Sequence, residues 1–180
     1  AGVAWTAMYA TVFGLGLTAA LPAVFILVVG TALWISHVTR NHLVAVYAQI
    51  VCIIYIPACI QWSIGGLFDS GFILAWAFCG PMTALTFLSR RQSLVWLGAY
   101  LANVVVTVAA NEYFSLHGQP VTDGVRMAFF LMNLSISSIV VYLFADYFVR
   151  TAVAERARAN SLLLNILPSS IAKRLKQQEH

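Results

Sequence analysis

The sequence predicts an all-α membrane protein, a bundle of six transmembrane helices. Three observations predict it. Hydrophobic residues make up 61% of the chain and charged ones 9%, against about 25% charged in an ordinary soluble domain. So few charges cannot coat a water-facing surface, and lipid is the expected solvent. Apolar runs of roughly twenty residues recur along the chain, the length a helix needs to cross a hydrocarbon layer of about 30 Å. Finally, with the C-terminus placed inside, Arg40, Arg90, Arg91, Arg150, Arg156, Arg158, Lys173, Arg174 and Lys176 all fall on the cytoplasmic side. Only Arg126 falls outside, with Asp69, Glu112 and Asp123. This bias predicts a multi-pass protein of the inner (cell) membrane with both ends cytoplasmic.

The segments follow in order. Ala1 to about Gly16 carries Trp5 and Tyr9 one turn apart. It is too short to cross alone and is expected to be the outer part of a first helix that begins upstream; a re-entrant or interfacial helix is the other reading. The chain opens already apolar, without the charged region of a signal peptide. Leu17 to Ser36 is an uncharged span with Pro22 in its first turns, where proline costs least. After the polar turn His37–His42, Leu43 to Ile60 is the third span, kinked or ended by Pro57. Gln61 to Gly71 breaks the pattern with three glycines and Asp69. Phe72 to Leu88 is the fourth span, bent at Gly80-Pro81. Leu94 to Ala110 is the fifth, and Asn111 to Asp123 the longest polar segment. Gly124 to Val149 is the sixth.

No stop signal ends that sixth span before Pro168, so one helix is expected to run on into the cytoplasm. Phe148, Ala152, Glu155, Ala159, Leu162 and Ile166 alternate at spacings of a coiled-coil seam, a short and weak one that would join two copies with help from membrane packing. A juxtamembrane amphipathic helix is the plainer reading. Proline at Pro168 starts a second short helix, making a joint. The expected domains are 1–149, the transmembrane bundle; 150–167, a signalling helix; and 168–180, a transducing element.

Two polar sets are candidate sites. Asp69, Glu112, His117 and Asp123 all fall outside the membrane and would suit a divalent cation or a small polar ligand; the plainer reading is loop charge paired with Arg126. Asn133 and Ser137 share a helix face at membrane depth and would face a ligand pocket or a dimer partner. Cys52, Cys59 and Cys79 lack the spacing of a disulfide framework or zinc site. His37 and His42 flank a turn at the inner surface, which does not suit haem held between histidines. No catalytic constellation and no nucleic-acid-binding cluster is present. The expected partners are the lipid bilayer, a second copy of the chain, and an unknown small ligand or cation.

Leu162 to Leu175, LLLNILPSSIAKRL, resembles the segment before the catalytic domain of class III nucleotide cyclases, whose pattern is roughly LLxN-[IM]-LPxx-[IV]-AxRL. Gln61 to Leu85 is similar to a glycine- and proline-marked pattern in the six-helix anchors of bacterial adenylate cyclases. The resemblance implies a membrane anchor and receptor domain whose full-length protein makes cyclic AMP, or alternatively cyclic GMP, in a catalytic domain that uses Mg²⁺ or Mn²⁺. It implies signal-transducing roles for Asn165, Leu167, Pro168, Ile171 and Arg174. No position here matches the family's metal-binding aspartates, so this chain by itself is expected to be no enzyme and to hold no cofactor. A small transporter or channel is the alternative from another class; it would need inverted repeats and midplane charges. A sensor module for another signalling effector would suit the helical exit equally.

Overall fold

The computed structural model describes residues 2–166, and side chains as far as Leu162. It divides into two compact units, Ala1–Ser138 and Ile139–His180. The described residues form seven α-helices and one 3₁₀ helix: α1 (Gly2–Phe13), α2 (Leu17–Thr39), α3 (His42–Ile64), the 3₁₀ helix Ile73–Phe78, α4 (Cys79–Phe87), α5 (Arg90–Ala109), α6 (Asn111–Leu116) and α7 (Asp123–Ile166).

Four of these, α2, α3, α5 and α7, are long and apolar enough to cross a membrane. The chain is thus a multi-span, all-helical, membrane-embedded region. The expectation of six transmembrane helices is corrected, and with it the likeness to a six-helix cyclase anchor. Two of the six expected spans are not spanning helices. The first is α1, whose 12 residues reach about 18 Å. Gly14, at φ +81°, ends it, and its N–H is donated to the Ala10 carbonyl at 3.0 Å. The second, Phe72 to Leu88, is split into six residues of 3₁₀ helix and the nine-residue α4.

The broken segment lies along α3. Ile73 packs with Ile60 and Ile64, while Ala84 packs with Val46, Ile50 and Ile54, so the chain descends from the C-terminal end of α3 towards its N-terminal end. In a 3₁₀ helix, residues three apart eclipse; Leu74 and Ala77 accordingly meet Ala58 together. Gly80 sits where an added Cβ would overlap Ile54, which is why α4 can lie close to α3. Pro81 falls in the first turn of α4, where its missing N–H leaves no bond unmade. Pro57, by contrast, does not end α3, which continues to Ile64.

Helix α3 is the central post of the first unit. Its most apolar window is 44% buried, against 17–22% for the other three long helices, whose outer faces are apolar and exposed as lipid requires. Helix α1 presents Trp5, Tyr9 and Phe13 as one stripe. Tyr9 is fully buried and packs edge-on against Phe129 of α7 at 5.8 Å. Ser89 and Gln92 form a reciprocal cap that starts α5.

In the second unit, described to residue 166, α7 carries the ion pairs Asp146–Arg150 (2.8 Å) and Glu155–Arg158 (2.9 Å). Phe148 is half-buried, and Ala152, Glu155, Ala159 and Leu162 are exposed. The side chains of Asn165 and Ile166, and all of Leu167, Pro168, Ile171 and Arg174, lie outside the described residues.

Candidate functional site around the glycine loop

The polar groups of the first unit gather where α3 ends. Gly65 and Gly66, at φ +142° and +97°, terminate α3 with both N–H groups donated to the Gln61 carbonyl. The loop closes at Gly71 and Phe72, at φ +63° and +59°. Phe72 in the left-handed region is an uncommon conformation for a bulky residue, and it is held by its neighbours rather than by its own preference. A Cβ on Gly71 would stand 2.5 Å from the Phe129 backbone and side chain, so glycine is what allows the loop to touch α7.

Amide side chains hold this loop. Asn111 Oδ1 accepts from Leu67 N at 2.8 Å, and Gln61 Oε1 accepts from Leu74 N at 3.2 Å. Asn133 Nδ2 donates to the carbonyls of Ser70 (3.3 Å) and Gly71 (3.1 Å), while its Oδ1 accepts from Trp76 Nε1 at 3.2 Å. Irregular backbone among membrane helices must find its partners inside the protein, and these amides supply them. A second strap comes from Gln119. Its backbone N donates to the Ile64 carbonyl at 2.7 Å, and its Nε2 donates to Thr18 Oγ1 at 2.9 Å.

Arg126 ties the charged groups together. Its Nη2 and Nε donate to Asp69 Oδ1 at 2.7 and 3.0 Å, and its Nη1 donates to Asp123 Oδ1 at 2.6 Å. Of the four outer residues expected to converge, Asp69 and Asp123 therefore meet across a guanidinium. Glu112 is exposed on α6. His117 stacks on Tyr113 at 4.4 Å and shares a 2.8 Å hydrogen bond with the Tyr113 carbonyl. Among the described residues no three His, Cys, Asp or Glu side chains are grouped to hold a metal. Asn133 and Ser137 are both buried, and the Ser137 hydroxyl donates to the Leu134 carbonyl of its own helix.

Sequence reasoning missed Gln61, Asn111, Gln119 and Trp76 as parts of one site. For Gln61 and Asn111 the signal was an amide standing at the end of an apolar run, since such a group must find partners when buried; Gln119 and Trp76 carried no such signal. Two buried donors at this end, Tyr9 Oη and Gln61 Nε2, have no partner among the described residues. The site has no paired nucleophile and base; its chemistry is hydrogen bonding and ion pairing. Comparison with known proteins finds no matching family model, no matching curated protein and no matching solved structure.

Proposed function

We propose that the chain is the membrane anchor and receptor part of a signalling protein, dimerising along α7 and passing a signal through that helix to a cytoplasmic catalytic domain. The observation that carries this reading is α7 itself. It has 44 residues, more than twice the roughly 20 that a crossing needs, and its first turns hold the glycine loop through Arg126 and Asn133. A ligand that moves the loop acts directly on α7. The ligand is a small polar molecule that binds beside the Asp69–Arg126–Asp123 ion pairs or accepts from the donors of Tyr9 and Gln61 that have no partner among the described residues. It must bind two arrangements of the loop unequally, a tenfold difference corresponding to about 1.4 kcal/mol. The exposed row Ala152, Glu155, Ala159 and Leu162 is open for a second copy.

The catalytic domain is read from the segment Leu162–Leu175 as a cyclase that makes cyclic AMP from ATP with Mg²⁺ or Mn²⁺, this chain supplying none of its catalytic groups. The distribution of Lys and Arg favours an inner membrane with the α2–α3 turn, the start of α5 and the C-terminal end of α7 on the cytoplasmic side. The test is cyclic AMP formation by the full-length protein in lipid, before and after an unrelated dimerising helix replaces residues 1–149. Both forms should make cyclic AMP, and only the intact one should respond to added ions or extracts. No cyclic nucleotide from the intact protein overturns the cyclase; equal responses overturn the receptor.

A further inference from the structure

At the other end of α3 lies a feature that the signalling reading does not use. Helix α2 turns into α3 through Arg40, at φ +55°, and Asn41, whose side chain accepts from Leu43 N at 3.1 Å. An open cleft of about 630 Å³ lies at this turn, lined by Leu33, Ser36, His37, Arg40 and His42. The lining holds a guanidinium, two imidazoles and a hydroxyl, and no carboxylate. Arg126, Arg150 and Arg158 all have carboxylate partners, whereas Arg40 has none among the described residues. Arg90 and Arg91 begin α5 at the same end, which Gln92 ties to α3 through a 3.0 Å bond from its Nε2 to Tyr47 Oη.

The lining is also apolar at one point, Leu33, which is 55% exposed one turn before Ser36 and His37, and Trp34 and Val38, 68% and 62% exposed, continue the apolar surface round α2. In a membrane helix such a face meets acyl chains, and an aromatic residue beside it suits the headgroup level. A cationic cleft at the end of a membrane-length helix, with Leu33 exposed on its lipid side and no carboxylate on Arg40 among the described residues, matches a molecule with a hydrocarbon tail and an anionic head. Arg40 in the lining disfavours a metal ion at the two histidines.

We propose that this cleft binds the phosphate of an anionic phospholipid. Arg40 supplies the charge; His37, His42 and Ser36 donate hydrogen bonds to the phosphate oxygens; Leu33 contacts the first acyl carbons. Inorganic phosphate offers the same oxygens without the tail.

The test uses the full chain in detergent micelles, with bound ligand measured by native mass spectrometry. The probes are dioctanoyl phosphatidylglycerol, dioctanoyl phosphatidylcholine and inorganic phosphate. The wild type should retain phosphatidylglycerol in preference to phosphatidylcholine. Arg40→Asn, chosen because asparagine tolerates the left-handed backbone, should weaken phosphatidylglycerol by about fivefold, the weight of one basic residue at an anionic surface. Arg90→Gln, outside the lining, should weaken it less than about twofold. Equal retention of the two lipids, or an equal loss from Arg40→Asn and Arg90→Gln, overturns the proposal. Displacement of phosphatidylglycerol by an equal concentration of inorganic phosphate overturns the lipid as the source. If Arg40→Asn does not fold, His37→Gln decides: weakened phosphatidylglycerol supports the site and unchanged affinity overturns it.

Discussion

Replacing Asn133 with leucine tests whether the glycine loop is fastened to α7 by hydrogen bonds. Asn133→Leu keeps the same branched skeleton, with bulkier methyl groups in place of the amide, and deletes three bonds: one from Trp76 Nε1 at 3.2 Å, and two to the carbonyls of Ser70 and Gly71 at 3.3 and 3.1 Å. Side-chain hydrogen bonds between membrane helices average about 0.6 kcal/mol and reach about 1.7. Three average bonds would contribute roughly 2 kcal/mol. Here Ser70 and Gly71 are themselves buried, so their carbonyls find no water once Asn133 is gone, and the cost falls at or above that figure. The folded-to-unfolded ratio should drop on the order of 30-fold or more. The assay is heat-induced exposure of the buried thiols of Cys52 and Cys79 to a reactive fluorophore in detergent or lipid. Ser135→Leu, at an exposed position on the same helix, is the control and should stay within about 0.5 kcal/mol of wild type. If Asn133→Leu melts with the control, the amide does not hold the loop and the coupling of loop to α7 fails with it.

Two further changes probe the same end. Gly118→Ala would place a Cβ in overlap with Gly65 and 2.7 Å from the Ile64 carbonyl oxygen. Both contacts are backbone and cannot yield, so a loss of about 2 kcal/mol or more is expected in the thiol assay, against almost none for Gly124→Ala, which has open space. Arg126→Met leaves Asp69, whose side chain is 20% exposed, without its cation. The cost should lie between that of a surface pair and a buried one, about 1–2 kcal/mol. Asp123→Asn, at a carboxylate 91% exposed, should cost less than about 0.5 kcal/mol. Equal losses from the two variants would show that Asp69 is no more dependent on Arg126 than Asp123 is.

Much of the local structure was legible. The excess of apolar residues committed the chain to helices in lipid. The absence of Gly or Pro between Arg150 and Ile166 marked the continuation of α7, whereas the bend expected at Gly80-Pro81 falls inside α4 and the change of helix type comes earlier, between Phe78 and Cys79. The number of spanning helices was not legible. Phe72 to Leu88 is apolar enough to read as one helix, and nothing local says that its first turns tighten into a 3₁₀ helix. That depends on Gly71 seated against Phe129 and on Phe72 held left-handed.

Hydropathy and glycine placement are properties of each residue, so they can be read along the chain. The partners of Asn133 lie 57 to 63 residues away, and that of Asn111 lies 44 away. The sequence by itself determined which side chains need hydrogen bonds in an apolar setting. Only the tertiary structure decided which backbone groups meet them, because those groups are left unpaired only where packing breaks a helix away from water.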